Sequence, residues 1–175
     1  MNLSKKTLLI TLITYSIGII IPVLHDFDFG IENSDKADVF FSDLVRLNNN
    51  QLFFKIVKNN ISVIALNIIG AMTFGLLTFI TTLYNGFILS IVVKNVLKNY
   101  SSEFVISNFF PHFTEVLAIL MSCYLGYYLS TKIFDFCFGK EKVFAISFKK
   151  VFYLTSLTIV ITIISAILEA YVTVR

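Results

Sequence analysis

The chain has 175 residues, 57% of them hydrophobic and 14% charged, with a mean hydropathy of +0.83. Because a soluble domain carries roughly 25% charged residues, this composition excludes an ordinary water-soluble protein and predicts an integral membrane protein in contact with the lipid bilayer. The net charge of +3 is spread over short clusters, so no nucleic-acid partner is expected. The two cysteines lie far apart without metal-ligand spacing, which indicates neither a disulfide framework nor a zinc site.

Residues 7–24 form the first predicted span, because an apolar run of about 18 residues is long enough to cross a bilayer. No small-x-small cleavage site follows it, which indicates an uncleaved signal anchor. Residues 25–58 are the most polar stretch and are predicted to form an extracytoplasmic loop. Apolar residues recur in it at helical spacing, which predicts an amphipathic helix in the lipid interface. They are Phe40, Leu44 and Leu47, then Leu52, Phe53, Ile56 and Val57.

The remaining apolar runs predict four further membrane segments. Their predicted bounds are 59–83, 86–98, 110–131 and 151–171, with a basic loop at 132–150. Tyr84-Asn85-Gly86 is a turn signal and is predicted to join the second and third segments in a tight hairpin. The third segment is shorter than the roughly 20 residues that a crossing needs, so it is predicted to be tilted, extended or re-entrant.

The predicted fold class is therefore all-α, a polytopic helical membrane protein that forms one domain over residues 1–175. It has about five transmembrane helices and an interfacial helix after the first. Three crossings with a re-entrant hairpin, made by the second and third segments, are the alternative.

Lys5, Lys6 and the lysine-rich loop at 132–150 determine the predicted orientation in the cell membrane. Short basic loops stay in the cytoplasm, so the N-terminus and this loop are predicted to be cytoplasmic. The acidic loop at 25–58 then lies outside. Lysines at positions 55, 58, 94 and 98 fall on the outer side and oppose this orientation.

Polar side chains inside the predicted spans require a reason, since an ionised group at mid-helix costs roughly 2.5–3.5 kcal/mol on insertion scales. They are predicted to face other helices or a hydrated cavity, and five of them form a candidate intramembrane polar site. These are His112, Glu115, Glu169, Asn60 and Asn85, and Asn67 is a further amide of this kind. Glu115 and Glu169 are predicted to lie toward the same outer side, where they can approach each other.

The run Pro111-His112-x-x-Glu115 supports three interpretations. Proline suits the first turn of a helix and a carboxylate soon after it complements the helix dipole, which favours an interfacial helix cap. His112 and Glu115 share one helix face, which is also typical of a buried site for a proton, a cation or a partner's polar group. A metal site is the weakest interpretation, because one histidine and two carboxylates lack a fixed ligand spacing.

No catalytic residue, cofactor or metal ligand is assigned from the sequence. The chain contains no nucleophile elbow, phosphate loop, HExxH or dinucleotide fingerprint.

Small residues predict where helices touch, because helices in lipid approach closely at such positions. The predicted packing residues are Gly70, Gly75, Gly86, Ser122, Gly126, Ala166 and Ala170. Packing within one chain is the preferred interpretation over a dedicated dimer interface, and formation of a homo-oligomer is left as an alternative.

Four segments in order resemble the stage II sporulation protein M family of multi-pass membrane proteins. They are residues 53–60, Tyr84-Asn85-Gly86, Pro111-His112-Phe113-Thr114-Glu115 and residues 166–170. The third is close to the family's Pro-His-Gly-x-x-Glu, although Phe113 stands where the family usually has glycine. The resemblance implies a five-helix fold and explains why the five candidate site residues occur together, but it supplies no reaction.

The resemblance also implies a membrane partner in a larger assembly, one that works with peptidoglycan-degrading proteins in sporulating bacteria. The leading hypothesis is a non-enzymatic scaffold or assembly subunit that acts with other membrane or envelope proteins. A second is a maturation, export or immunity component for a circular bacteriocin, since related proteins are encoded with such peptides. A third is a transporter or intramembrane enzyme, which requires His112, Glu115 and Glu169 to face one enclosed space.

Overall fold

Five long helices make up the computed structural model, which describes residues 3–25, 47–99, 102–139 and 146–173. They are α1, Leu3–Leu24; α2, Asn49–Ile69; α3, Leu76–Asn99; α4, Ser102–Cys137; and α5, Phe148–Leu168. Each contains a stretch that is long and apolar enough to cross a membrane. The predicted all-α polytopic class with about five transmembrane helices is therefore confirmed.

α2 begins inside the predicted loop at 25–58, because a capping box starts the helix at Asn49. The Asn48 side chain accepts a hydrogen bond from the Gln51 amide at 2.8 Å, and the Gln51 side chain accepts one from the Asn48 amide at 3.1 Å. The amphipathic segment over residues 49–58 is thus the first part of α2, and the predicted loop is wrong there. The rest of the predicted interfacial segment, over residues 26–46, lies outside the described residues.

The hairpin between α2 and α3 turns at Phe74 and Gly75, directly after a 3₁₀ turn over Gly70–Thr73. Phe74 and Gly75 have φ values of 52° and 91°, a left-handed conformation that glycine adopts without strain. The Gly75 amide donates to the Gly70 carbonyl at 2.9 Å, which closes the turn. Gly75 therefore has a backbone role at the hairpin.

α3 runs without a break through Tyr84-Asn85-Gly86, where the sequence predicts a turn. An Asn-Gly pair is a common turn signal, but Asn85 here donates its side-chain amide to the Thr81 carbonyl one turn back at 2.7 Å. The predicted bounds 59–83 and 86–98 are therefore wrong. α3 is longer than the predicted third segment and is long enough to span a membrane, which agrees with the prediction that this segment is extended.

α4 begins at Ser102, well before the predicted start at 110, and it continues past the predicted end at 131. Pro111 lies inside the helix, where proline removes one backbone hydrogen bond, and the helix continues beyond it. α5 begins after Ser147, whose side chain accepts a hydrogen bond from the Lys150 amide at 3.4 Å. The helices therefore occupy both ends of the predicted basic loop at 132–150, and residues 140–145 lie outside the described residues.

α1 and α3 lie in close contact because glycines face each other between them. A Cβ atom on Gly18 would lie 2.3 Å from the Leu83 carbonyl oxygen, and one on Gly86 would lie 2.4 Å from the Tyr15 carbonyl oxygen. Both distances are far below van der Waals contact. Gly86 is therefore required for helix packing rather than for a turn.

α2, α3 and α4 meet around the Asn67 side chain in the middle of the bundle. Its amide nitrogen donates to Ser122 Oγ at 2.8 Å and to Cys123 Sγ at 3.2 Å, and its oxygen accepts from the Thr81 hydroxyl. A Cβ atom on Gly126 would lie 2.2 Å from the Asn67 carbonyl oxygen. These contacts fix the register of α2 against α4.

Contacts at the helix ends show which ends lie together. At one end the Tyr171 hydroxyl, just after α5, donates to the Asn50 side chain at the start of α2. At the other end Phe74 packs edge-to-face on Phe134 of α4, with 5.9 Å between the ring centroids. α2 and α4 therefore run in the same direction and α5 runs against them. We call the first of these the Asn50 end.

Candidate functional site

Three ionisable side chains converge near the Asn50 end of the bundle. His112 and Glu115 lie one turn apart on α4, and Glu169 begins the π-helical turn Glu169–Thr173 that follows α5. Nδ1 of His112 lies 3.5 Å from Oε2 of Glu115 and 3.8 Å from Oε2 of Glu169. One nitrogen or oxygen atom of each side chain lies within 4.8 Å of the others. We call these three residues the His-Glu-Glu cluster.

Helix spacing and small neighbouring residues bring the cluster together. Residues three apart share a helix face, so His112 and Glu115 point the same way from α4. The side chains of Ala166 on α5 and Ala170 in the turn after it are fully buried, and small side chains four residues apart allow neighbouring helices to pack closely. This close packing carries Glu169 against α4.

The cluster is partly buried. The side chains of His112, Glu115 and Glu169 are 37%, 22% and 20% exposed. Even so, Oε2 of Glu169 is completely buried and accepts no hydrogen bond from the described residues. Buried carboxylate oxygens ordinarily have a donor, so this oxygen faces the cluster with unused capacity to bind a proton or a cation.

Asn60 of α2 belongs to the same level of the bundle as the cluster. Asn67, seven residues further along α2, contacts Ser122 of α4, and Glu115 lies seven residues before Ser122. Because α2 and α4 run in the same direction and a seven-residue step returns to nearly the same helix face, Asn60 is placed opposite the turn that carries Glu115. Asn60 is 2% exposed, and its Nδ2 atom has no hydrogen-bond partner among the described residues.

Comparison with known proteins identifies this architecture. The family model described as Stage II sporulation protein M matches residues 7–174. The chain belongs to the stage II sporulation protein M family. An uncharacterized protein of Methanocaldococcus jannaschii is 29% identical over 175 residues, covering 97% of this chain and 94% of that protein. No solved structure matches the chain. The family resemblance indicated by the sequence motifs is confirmed, and the chain is a multi-pass membrane protein of this family.

The other sequence-predicted residues of this stage II sporulation protein M chain lie elsewhere. Asn85 is in the middle of α3, and its side-chain amide is satisfied by the Thr81 carbonyl. Gly70, Gly86 and Gly126 lie where a Cβ atom would meet a neighbouring backbone or side-chain atom at 2.2–2.5 Å. The structure therefore brings together His112, Glu115, Glu169 and, by register, Asn60, but leaves Asn85 in the helix that carries it.

The helix-cap interpretation of His112 and Glu115 is wrong. A carboxylate complements the helix dipole only within the first turn, and α4 begins at Ser102, ahead of both residues by several turns. The sequence indicates Asn67 as an intramembrane amide but not its role, which is to form the central polar contact with Ser122 and Cys123. The seven-residue spacing of Asn60 and Asn67, which places both on one face, is the signal that could have linked them.

Two carboxylates and one imidazole at this separation limit the chemistry of the cluster. Like charges so close together repel each other, so the cluster is stable when a proton or a cation lies among them. Imidazole and carboxylate are proton carriers in membrane proteins, and both are ligands for divalent metal ions.

Proposed function

We propose that this membrane protein acts through the His-Glu-Glu cluster, which binds a proton or a cation, as a transporter or an intramembrane enzyme does. The observation that carries the proposal is the convergence of His112, Glu115 and Glu169 from two helices within 4.8 Å. Of the hypotheses drawn from the sequence, only this one requires these three side chains to meet.

A purely structural role fits the cluster less well. An ion pair that ties two helices together needs its buried atoms satisfied, and Oε2 of Glu169 accepts no hydrogen bond from the described residues. The chain already has a satisfied polar contact between helices at Asn67. Ionisable groups inside membrane segments are also more often functional than structural.

An assembly subunit that works with envelope proteins is the second candidate, and family membership supports it. An open apolar depression lined by Phe53, Ile167 and Tyr171 lies near Glu169, where a partner's side chain could dock. A circular-bacteriocin component rests on the sequence resemblance alone.

A complementation experiment with a pull-down separates these roles. Tagged wild type, His112→Ala and Glu169→Gln are expressed at matched levels in a deletion strain, and fitness and co-purifying proteins are both measured. Asp135→Asn, a carboxylate substitution near the far end of α4, is the matched control. We expect the two cluster variants to lose activity while their co-purifying proteins stay the same.

Other results would change the assignment. Release of partners by both cluster variants would favour the assembly subunit. Full activity of both variants would overturn any functional role of the cluster.

A further inference from the structure

We propose that the His-Glu-Glu cluster is a binding site for one divalent transition-metal ion, with His112, Glu115 and Glu169 as its protein ligands. This inference rests on the proposed function, because it names the class of cation that the cluster binds. It goes further in assigning ligands that no spacing motif in the sequence identifies.

The spacing of the ligand atoms is close to that of a metal site. Zinc lies about 2.0–2.2 Å from histidine nitrogen and carboxylate oxygen, so ligands around a tetrahedral ion are about 3.4 Å apart. The two distances from His112 Nδ1, to Glu115 and Glu169, are 3.5 Å and 3.8 Å. The carboxylate oxygens of Glu115 and Glu169 lie within 4.8 Å of each other, so a relative shift of up to about 1.4 Å, within the range of side-chain rotation, completes the site.

The charge of the cluster also favours a divalent ion. Neutral imidazole with two carboxylates carries two negative charges, which one divalent cation balances. Imidazole selects zinc, iron, nickel and copper over magnesium and calcium, while the carboxylates admit manganese as well. Three protein ligands leave a coordination position open, which is typical of sites that exchange a ligand rather than of structural zinc sites.

Asn60 is the independent observation that points to an occupant. It is 2% exposed and places an unpartnered amide nitrogen at the level of Glu115. Metal-binding carboxylates are commonly held by hydrogen bonds from a second layer of residues. By helix register, the Asn60 amide nitrogen is the candidate donor of one of these bonds.

Metal binding by the full chain in mild detergent tests the site. The protein is stripped with a chelator, exchanged into chelator-free buffer, incubated with Zn²⁺ or Mn²⁺, desalted, and analysed by mass spectrometry for bound metal. We expect about one metal ion per chain in the wild type and loss of that ion in His112→Ala and Glu169→Gln. His25→Ala is the matched control, because His25 is the chain's other histidine and lies outside the cluster; it is expected to keep the ion. Asn60→Ala is expected to bind about 10–100-fold more weakly.

The proposed metal site would be overturned if the wild type binds neither metal, or if the variants at His112 and Glu169 keep the ion. X-ray absorption of the zinc-loaded wild type is a second test that needs no variant. It should show imidazole in the coordination sphere, and a spectrum without imidazole would also overturn the proposed site. If the wild type binds no metal while both cluster variants are inactive in cells with partners retained, the metal inference fails and the proposed function stands with a proton as the cation.

Discussion

Replacing Glu169 by Gln should stabilise the metal-free protein even though it removes a residue of the candidate site. In chelator, at a pH high enough to keep the His112 imidazole neutral, Glu169 has a negative neighbour in Glu115 and no positive one in the cluster. Its Oε2 atom is also buried without a hydrogen-bond donor. Glutamine keeps the size and shape of the side chain and removes the charge.

The distances in the cluster give the size of the effect. Two unit charges 4.8 Å apart, the upper limit within the cluster, repel by about 3 kcal/mol at an effective dielectric constant of about 20. Because both carboxylates are about one-fifth exposed, solvent screening reduces this value. We therefore expect the free energy of unfolding to rise by about 1–3 kcal/mol, which for a chain of this length raises Tm by roughly 2–12 °C.

The two cysteines provide the assay. Cys123 is fully buried and Cys137 is exposed, so in a Cys137→Ser background a thiol-reactive dye reports the temperature at which the core opens. Asp135→Asn is the matched control: it removes a carboxylate charge outside the cluster, and a rise in Tm is expected for Glu169→Gln but not for this variant. A lower Tm for Glu169→Gln would refute the reasoning, because it would mean that Glu169 forms a stabilising ion pair between α4 and α5.

Two further predictions concern packing and orientation. Gly126→Ala should lower Tm in the same assay, since its Cβ atom would lie 2.2 Å from the Asn67 carbonyl oxygen and overpacking costs about 1–3 kcal/mol. Ala65→Val, on an exposed face of α2, is the control. Equal Tm values for the two variants would contradict the close packing at Gly126. Cys137 is the last residue of α4 and exposed, and the predicted orientation places it on the cytoplasmic side. It should react with a membrane-impermeant maleimide in inverted vesicles but not in intact cells, and the reverse result would invert the predicted topology.

The number of helices could be predicted from the sequence because long apolar runs have few alternatives in lipid. The position of the hairpin could not be predicted, because an Asn-Gly dipeptide is found both in turns and where helices pack closely. Asn85-Gly86 looks like a turn, yet Gly86 allows α1 to approach the backbone of α3. The true turn, at Phe74 and Gly75, has a non-glycine residue at positive φ, which sequence patterns rarely indicate.

The residues of the candidate site could be predicted, but their grouping could not. His112, Glu115 and Glu169 stand out in the sequence because ionisable groups are rare inside membrane helices, and their proximity depends on how α5 packs against α4. Asn85 is also a polar residue inside a membrane helix, yet its amide is used within its own helix. A polar residue in a membrane helix therefore indicates that it needs a hydrogen-bond or charge partner. Only the packing shows whether that partner lies in the same helix or in another one.

The contrast between the two polar groups on α2 supports a functional reading of the cluster. Asn67 is saturated: both of its side-chain atoms have partners, and its backbone carbonyl also accepts a hydrogen bond from the Thr78 hydroxyl at 2.8 Å. Asn60 lies two turns away on the same face, and its side-chain oxygen accepts from Asn59 at 3.3 Å. Its amide nitrogen has no partner among the described residues, and neither has Oε2 of Glu169 in the cluster. Lipid penalises unsatisfied polar groups more strongly than water does, so an unsaturated group beside a saturated one is costly unless something binds there. Asn67 holds α2 and α4 in register, and that register places Asn60 beside the cluster, where a cation can bind.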